Sequence, residues 1–377
     1  MKVWFEGDAY DSLEFFKKTN LKNQFSFLES VFDFAEFWYS ERKLWHTKTS
    51  GSTSEPKLVQ ISKKQIEISA KATIEYFDLS PISDGIVLCL SAVHVGGFMV
   101  LARAFVGNLD LWILPPSSKP FSDQPVHLLK KQWFVSMVPF QLSSFADDDL
   151  RSSTQYWKGI LLGGAAVSEA QQEIVGLLQF PVYQSYGMTE TVSHIAVRKL
   201  LAAALKQQNL SEPYRVLPGI EVKQEVNQCI SIRGAVTLNR WVETKDVIEL
   251  KDNRSFFIVG RLDDIINSGG IKVDPTVLKS LIKHQLTHEN IDFEIIGIQD
   301  DKLGEKVVLV FVKPQNTDSI DALFWTSIFE KLKTSIDKRL LPKEIYTIQE
   351  LPTTSSLKLD KQVLKKYLTL QSPIWRN

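Results

Sequence analysis

Residues 159–191 read GILLGGAAVSEAQQEIVGLLQFPVYQSYGMTET, and the order of the elements within them indicates the fold class. The stretch opens with the apolar run GILLGG, continues through SEAQQEIVGLLQF, which has a helical pattern, and returns to an apolar run at PVYQ. A strand, a helix and a second strand in this order predict a parallel pair joined by a crossover. Further apolar runs lie at 85–93 (GIVLCLSAV) and 133–139 (WFVSMVP). The sequence therefore predicts an α/β fold with a mostly parallel sheet.

The chain length predicts two domains, since 377 residues exceed what one hydrophobic core usually organises. Short β-patterned runs continue to about Arg261 and predict a β-rich subdomain, after which strand and helix patterns form a smaller α+β set. The later helices are expected at Pro275–Leu286 and Phe324–Leu341. We therefore predict a large N-terminal domain of residues 1–262 and a small C-terminal domain of residues 263–377.

The most apolar region of the chain, Ile86–Leu114, is predicted to be a buried strand, a turn and a helix. His94, Arg103 and Asp110 interrupt it, which argues against a membrane span. Upstream, Ser62 and Gln65 have the spacing of a capping box that begins another helix.

The composition excludes several classes of protein. Apolar residues make up 44% and charged residues 23%, as in globular proteins. The 44 basic and 44 acidic residues balance, which argues against nucleic acid or an anionic membrane as the main partner. Two cysteines without a CxxC pair argue against a disulfide framework, and the N-terminus lacks a secretory pattern. We therefore expect a cytoplasmic protein without membrane insertion; a homo-oligomer stays open.

Five local segments contain residues suited to phosphate and metal chemistry. In the first, Thr49–Lys57, hydroxyls and backbone N–H groups can surround phosphate oxygens, and the lysine adds a charge. The second, Gln184–Thr191, offers Tyr186 to stack on a nucleobase, Thr189 to bind a phosphate and Glu190 as a hard oxygen ligand for Mg2+. Taken singly, each segment could equally be an ordinary polar loop or turn.

The other three segments lie later in the chain. Asp246 could accept hydrogen bonds from both ribose hydroxyls, although a lone aspartate is more often a turn residue. Gly260–Pro275 has paired acids and paired glycines at the predicted domain joint, as a hinge would need; the alternative is a hairpin with a Gly-Gly turn. Leu351–Asp360 presents Lys358, which by itself would be read as a solvated lysine.

In this order, the five segments resemble the adenylate-forming superfamily of acyl-CoA synthetases, carrier-loading adenylation domains and luciferases. The resemblance covers about residues 45–365. It implies that a carboxylic acid is the substrate, that ATP and Mg2+ activate it as an acyl-adenylate, and that coenzyme A accepts the acyl group. ATP, Mg2+ and coenzyme A are therefore the expected cofactors and co-substrate.

The resemblance implies that residues of four segments hold the nucleotide. They would surround its phosphates, stack on the adenine, coordinate Mg2+ and accept the ribose hydroxyls. The phosphate loop would contribute Thr49, Ser50, Gly51, Ser52, Thr53 and Lys57, while Tyr186 would stack, Thr189 would contact the α-phosphate, Glu190 would hold Mg2+, and Asp246 and Arg261 would bind the ribose.

The fifth segment would supply the catalytic lysine. Lys358 would bridge the attacking carboxylate and the α-phosphate, because two anions must approach each other there. In the second half-reaction the same lysine would obstruct the thiol, so in this family the small domain swings about a hinge, here Asp263. Gly269 and Gly270 would then line the thiol tunnel.

Within the superfamily, the stretches YGMTETVSHIAVRKL, TKDVIEL and INSGGIKVDP are similar to the o-succinylbenzoate:CoA ligases of menaquinone biosynthesis. Such an acid keeps a second carboxylate, so a polar or cationic group must lie in an otherwise apolar acyl pocket. The resemblance frames this pocket with Gly163, Gly164 and Ser185. It makes His94 the candidate for the polar end, with His194 as the alternative.

Three positions depart from the family pattern. Ser54, Lys245 and Leu357 stand where glycine is usual, but none of them removes a charged or metal-binding group, so an active enzyme is expected. Three other functions stay open: another aryl- or fatty-acid CoA ligase, a stand-alone enzyme that loads a carrier protein, and a non-catalytic ATP-binding protein.

Overall fold

The structure is a computed structural model that describes residues 1–48, 58–122, 131–146, 150–151, 153–200, 212–285, 292–312, 322–353 and 359–376. Contacts divide the chain into two compact units. The first unit contains the described residues up to Thr244 and Glu249–Phe257; the second contains Lys245–Ile248 and the described residues from Ile258 onward. The predicted division at residue 263 and the mobility of the second domain stay predictions.

A large mixed sheet organises the first unit. The strands of the chain up to the end of this sheet are β1 (Lys2–Phe5), β2 (Asp8–Asp11), β3 (Leu44–Lys48), β4 (Leu58–Ser62), β5 (Asp84–Leu88), β6 (Asp110–Ile113), β7 (Gln132–Met137), β8 (Trp157–Leu162), β9 (Val182–Met188), β10 (Ser193–Leu200), β11 (Tyr214–Val216), β12 (Ile220–Gln224), β13 (Cys229–Gly234), β14 (Val242–Asp252) and β15 (Ser255–Arg261). Strands β14 and β15 contribute residues to both units. Strands β3 and β4 form a separate hairpin.

Over the described residues the sheet order is β12-β13-β14-β15-β11-β10-β9-β8-β7-β5-β6-β1-β2. The run from β1 through β6, β5, β7 and β8 to β9 pairs in parallel. The pairs β9–β10, β10–β11 and β11–β15 are antiparallel. The predicted α/β fold is confirmed, and the parallel part of its sheet is the part that contains residues 85–93, 133–139 and 159–191.

The first unit contains six α-helices among the described residues, and three of them begin at a residue whose side chain caps the helix. The six are α1 (Ser12–Lys17), α2 (Leu21–Gln24), α3 (Leu28–Tyr39), α4 (Lys63–Tyr76), α5 (Val95–Gly107) and α6 (Glu169–Leu177). The predicted capping box of Ser62 and Gln65 is confirmed at the start of α4, and Ser168 with Gln171 forms a second one before α6. In each box the serine side chain accepts a hydrogen bond from the glutamine backbone N–H.

Helix α5 packs unusually close to the loop that precedes it. A Cβ atom added at Gly97 would lie 2.2 Å from the carbonyl oxygen of Ser91, so only glycine permits this approach. Strand β5 is buried along its whole length, and α5 is buried from Gly97 to Ala104. The predicted buried strand, turn and helix are therefore confirmed. No helix in the described parts of the chain is long and apolar enough to cross a membrane.

The second unit is a sheet with helices on both faces. Its elements are β16 (Ile266–Ser268), β17 (Ile271–Val273), α7 (Pro275–Gln285), β18 (Phe293–Asp300), β19 (Gly304–Val312), α8 (Ala322–Ser335), β20 (Glu344–Ile348), α9 (Lys361–Thr369) and β21 (Trp375–Arg376). Alternate residues of β19 enter different cores, as the period of a strand requires. Leu309 packs with Ile282 of α7 and Leu332 of α8, whereas Val310 packs with Leu364 of α9.

Helix α8 ends six residues earlier than the sequence predicted. The expected end was Leu341, but the helix stops at Ser335. Just beyond it, a carboxylate oxygen of Asp337 accepts hydrogen bonds from the backbone N–H and the guanidinium of Arg339. This local turn competes with helical hydrogen bonding and gives the chain another conformation there.

Candidate active site

The predicted acyl-pocket residues that the structure describes lie at or just beyond the last paired positions of neighbouring parallel strands. Strands β5, β7, β8 and β9 lie side by side, and Leu162 at the end of β8 is paired with Met137 of β7 and Gln184 of β9. Ligands of open α/β sheets bind beyond this edge of the sheet. Gly163 and Ser185 are the next residues along two of these strands, so the topology brings them together.

Direct contacts connect these residues. The hydroxyl of Ser185 donates to the carbonyl oxygen of Leu162 at 2.8 Å, and the backbone N–H of Gly163 donates to the carbonyl oxygen of Met137 at 3.0 Å. A Cβ atom at Gly163 would lie 3.1 Å from Oγ of Ser185, which leaves little room for a side chain. Gly164 has a φ of 86°, a conformation that favours glycine. The turn after β8 therefore depends on both glycines.

Tyr186, Thr189 and Glu190 lie on β9 and the short 3₁₀ turn that follows it. Tyr186 is 9% exposed and packs edge-on against Tyr214 and Phe256, with ring centroids 6.1 and 5.5 Å away. Thr189 is buried, whereas Glu190 is exposed. The stacking, phosphate and metal roles of these residues stay predictions.

The turn after Glu190 holds its backbone in a strained conformation. Val192 and Ser193 have φ values of 58° and 108°, which non-glycine residues rarely adopt. The hydroxyl of Thr191 accepts a hydrogen bond from the backbone N–H of Met188 at 3.0 Å and donates to a neighbouring carbonyl. Strain of this kind costs about 1–3 kcal/mol and concentrates at functional sites. The strained backbone therefore supports a functional role for this turn, and this observation was not available from the sequence.

His94 occupies the N-cap position of α5, after the carboxyl end of β5. Its side chain is half-buried, and its carbonyl oxygen accepts hydrogen bonds from the N–H groups of Gly97 and Phe98 at 3.0 and 3.1 Å. This position is at the same edge of the sheet as Gly163 and Ser185. Its contact with the substrate stays a prediction.

Sequence reasoning missed the buried cation of this site, Arg103 of α5. Arg103 is 2% exposed, and burial lowers the pKa of its guanidinium to about 10. Its terminal nitrogens donate to the hydroxyls of Ser136 at 3.3 Å and Ser193 at 3.1 Å, and one lies 3.5 Å from Nδ1 of His194. Among the described residues no carboxylate forms an ion pair with Arg103, and its Nε has no hydrogen-bond partner there. The signal available in the sequence was one arginine inside the apolar helix VGGFMVLARAFVG.

His194, the alternative polar residue, lies beside this cation. It is 6% exposed, and burial together with the Arg103 charge lowers its pKa well below 6.5. Its Nε2 is 3.4 Å from Oγ1 of Thr73. The imidazole is therefore neutral near neutral pH.

The second unit contains the remaining predicted residues that the structure describes. Arg261 donates to the Asp246 carboxylate at 2.6 Å, so the two residues assigned to the ribose are adjacent. Asp263 forms an ion pair of 2.9 Å with Lys245, which is one of the residues found in place of glycine. Whether Asp263 is a hinge stays a prediction.

Gly269 and Gly270 form the turn of the β16–β17 hairpin. Their φ values are 60° and 82°, and Ser268 pairs with Ile271 across the turn. The structure therefore has the hairpin that was weighed as the alternative reading of this segment. A hairpin does not exclude the proposed thiol tunnel, which stays a prediction.

The described residues on either side of positions 354–358, where the predicted catalytic lysine lies, form contacts of their own. Thr353 and Leu359 form an isolated antiparallel bridge, and the Asp360 carboxylate accepts hydrogen bonds from the N–H groups of Gln362 and Val363. Lys361 pairs with Asp264 at 2.7 Å. Several predicted residues lie outside the described residues: Lys358, Leu357, and the phosphate-loop residues Thr49, Ser50, Gly51, Ser52, Thr53, Ser54 and Lys57.

A magnesium site made of several protein ligands is absent from the described part of the chain, where no group of three or more His, Cys, Asp or Glu could hold a metal. Mg2+ is usually bound by one or two carboxylates together with substrate phosphates. The exposed carboxylate of Glu190 fits that ligand chemistry.

Parallel sheets of this kind, with polar residues beyond their carboxyl edge, are common in α/β enzymes that bind nucleotides. The family model described as AMP-binding enzyme matches residues 48–225. An AMP-forming acyl-CoA synthetase/AMP-acid ligase II-like protein from Dyadobacter fermentans is 31% identical, with 91% of this chain and 94% of that chain covered and a TM-score of 0.56. The chain therefore belongs to the family of AMP-binding enzymes.

Other relatives carry more specific names. The 2-succinylbenzoate--CoA ligase of Listeria monocytogenes is 25% identical over 350 residues, which cover 88% of this chain and 71% of that protein. The structure of o-succinylbenzoate CoA synthetase from Bacillus subtilis with its acyl-adenylate intermediate has a TM-score of 0.67, at 23% identity, with 85% of this chain and 68% of that chain covered. This second likeness supports the fold.

Proposed function

We propose that the chain is an ATP-dependent acid:CoA ligase that acts on 2-succinylbenzoate. Its first half-reaction joins the succinyl carboxylate to the α-phosphorus of ATP and releases pyrophosphate. In the second, the thiol sulfur of coenzyme A attacks the acyl carbon, and AMP leaves. Family membership and the name of the Listeria relative support this assignment.

The buried Arg103 is the observation that carries the choice of acid. A cation that is 2% exposed and bound only by neutral groups among the described residues has lost water without gaining a counter-charge. A carboxylate of the substrate would supply that charge. An acid with a second carboxylate remote from the reacting one fits this requirement, whereas a fatty acid does not.

The chain's own residues would divide the remaining work. Lys358 would place a positive charge between the two anions that must approach, and bound Mg2+ would add further charge on the phosphates. Glu190 would hold the metal, Thr189 the α-phosphate, and Tyr186 the adenine. Preorganised charge of this kind lowers the barrier because no solvent must reorganise during the reaction.

The residues of the second unit would serve the nucleotide and the thiol. Asp246 and Arg261, adjacent to each other, would bind the ribose together. We assign the hinge to Asp263 and the thiol path to Gly269 and Gly270. Rotation of residues 263–377 as a mobile domain would then let one active site perform both half-reactions.

The test is ATP–pyrophosphate exchange with a panel of acids, followed by AMP release after addition of coenzyme A. We expect 2-succinylbenzoate to support faster exchange than benzoate, succinate or a long-chain acid. Benzoylpropionate, which has the same keto acid chain without the ring carboxylate, should be poorer by about 10²-fold or more, because it leaves the buried cation unpaired. A fatty acid as the best substrate would contradict the proposal.

Substitutions at Arg103 test the same point from the protein side. Arg103→Met should lose most of the exchange with 2-succinylbenzoate but little with benzoylpropionate, and Arg103→Lys should keep more of it. Arg215→Met, at an exposed arginine of β11, is the matched control. Thioester formation only on a carrier protein would favour the carrier-loading alternative, and absence of exchange with every acid would favour a non-catalytic protein.

A further inference from the structure

The buried arginine and its neutral shell come from three separate elements. Arg103 comes from α5, Ser136 from β7, and Ser193 and His194 from the start of β10. All three partners are uncharged, since the pKa of His194 is lowered by burial and by the arginine. His194 is the only titratable side chain among the described residues that forms a hydrogen bond with Arg103.

The chemistry of the arginine fixes the tautomer of this histidine. A guanidinium has donors and no acceptor, so its contact with Nδ1 of His194 at 3.5 Å selects the tautomer without a proton on Nδ1; Oγ of Ser193 lies 3.3 Å from the same nitrogen and can also donate to it. The proton therefore lies on Nε2, which donates to Oγ1 of Thr73 at 3.4 Å. The Thr73 hydroxyl then donates to the carbonyl oxygen of Ser69 at 3.1 Å. The result is a directed chain of hydrogen bonds from Arg103 to the backbone of α4.

Backbone contacts also hold His194 in place. Gly187 of β9 faces His194 of β10, and a Cβ at Gly187 would lie 2.4 Å from the Cα of His194. The register of the two strands shifts between His194 and Ala196. This bulge directs a side chain that regular pairing would place elsewhere. His194 is thus anchored by β9, while its ring reaches α4 and α5.

We propose that His194 is a positioning residue that determines specificity for a dicarboxylic acid. It orients the Arg103 guanidinium by accepting one hydrogen bond and leaves the charge of the arginine available to the remote carboxylate of the substrate. An aspartate or glutamate at this position would also orient the arginine, but it would neutralise the charge. A neutral acceptor orients the arginine without neutralising its charge. This inference rests on the proposed function.

The free donor of Arg103 supports this arrangement. Its Nε is buried and has no hydrogen-bond partner among the described residues. A buried donor without a partner costs about 1–3 kcal/mol, and a bound carboxylate would remove that cost. The guanidinium would therefore already be oriented before the substrate binds. This raises the affinity because less ordering is required on binding.

The test compares His194→Leu with His194→Gln in exchange assays with 2-succinylbenzoate and benzoylpropionate. Leucine keeps the volume but neither accepts nor donates, whereas glutamine can do both with its amide. We expect leucine to raise KM for 2-succinylbenzoate about 10-fold and to leave KM for benzoylpropionate within about 2-fold of wild type; glutamine should restore most of the difference. His46→Leu, at an exposed histidine of β3, is the matched control.

Two outcomes would overturn this role. If KM for both acids rises together in His194→Leu and glutamine restores neither, the histidine is only structural. If the leucine variant keeps the full preference of the wild type, Arg103 is oriented without it. Failure of the proposed function itself is distinguishable, since the wild type would then show no preference for 2-succinylbenzoate over benzoylpropionate.

Discussion

Replacing Gly187 with alanine should disturb the candidate active site by forcing the backbones of strands β9 and β10 apart. A Cβ at this position would lie 2.1 Å from the carbonyl oxygen of Ser193, whereas real Cβ contacts are not shorter than 3.0 Å. The two strands would have to separate by about 0.9 Å, the difference between these distances. The three nearest atoms all belong to the backbone, so no side-chain rotation can relieve the clash.

Overpacking of this size costs about 1–3 kcal/mol, which corresponds to a fall in Tm of roughly 2–12 °C. Gly187 is flanked by Tyr186 and lies two residues before Thr189, so both predicted nucleotide contacts would move with it. A displacement near 1 Å at a catalytic centre can cost about 10²-fold in rate. We expect a loss of that order in ATP–pyrophosphate exchange.

The matched control is Gly176→Ala in helix α6. A Cβ there would have no atom within 4 Å, and alanine favours a helix over glycine by up to about 1 kcal/mol. This variant should therefore keep its activity and its Tm should not fall. If Gly187→Ala had the Tm and the exchange rate of the wild type, the close approach of β9 and β10 would be refuted. A lower Tm with unchanged exchange would refute the link between this strand pair and the nucleotide site.

Three further measurements follow from the site. Lys358→Ala should abolish adenylation but leave thioester formation from a supplied acyl-adenylate largely intact; equal loss in both half-reactions would contradict its assigned role. The lowered pKa of His194 means that the unfolded chain binds more protons below about pH 6.5, so stability should fall as the pH drops from 6.5 toward the folded-state pKa. In the His194→Gln variant, the urea concentration at the midpoint of unfolding should change less with pH over that range. Burial raises the pKa of the Cys89 thiol to about 12, so it should resist thiol reagents until the chain unfolds.

Local patterns predicted the elements of the fold because their causes are local. The capping box of Ser62 and Gln65 and the apolar run at residues 85–93 depend on neighbours within a few positions. The predicted end of α8 was wrong because apolar periodicity continues past Ser335, while the turn made by Asp337 and Arg339 stops the helix. Competition between side chain and backbone is harder to read from a pattern than a cap is.

The sequence offers candidate site residues where they form a contiguous motif, but not where distant strands bring them together. Tyr186 and Glu190 stand in one short segment, so the resemblance could assign them roles, which stay predictions. Arg103 meets Ser136 and Ser193 only after α5, β7 and β10 have assembled, and these residues are 33 and 90 positions away in sequence. In sequence, the arginine was simply an interruption of an apolar region. The bulge that turns His194 inward likewise has no sequence signature.

The guanidinium of Arg103, which has no ion-pair partner among the described residues, has a consequence for the lifetime of the protein in a cell. A ligand that binds only the native state stabilises it by RT ln(1 + [L]/Kd), which is about 2.7 kcal/mol at a hundredfold excess over Kd. If the remote carboxylate of the acid completes this buried shell, the folded population depends on how much acid is present. We expect the chain to be degraded faster when its substrate is scarce, so that enzyme abundance would follow metabolite supply without a dedicated regulator.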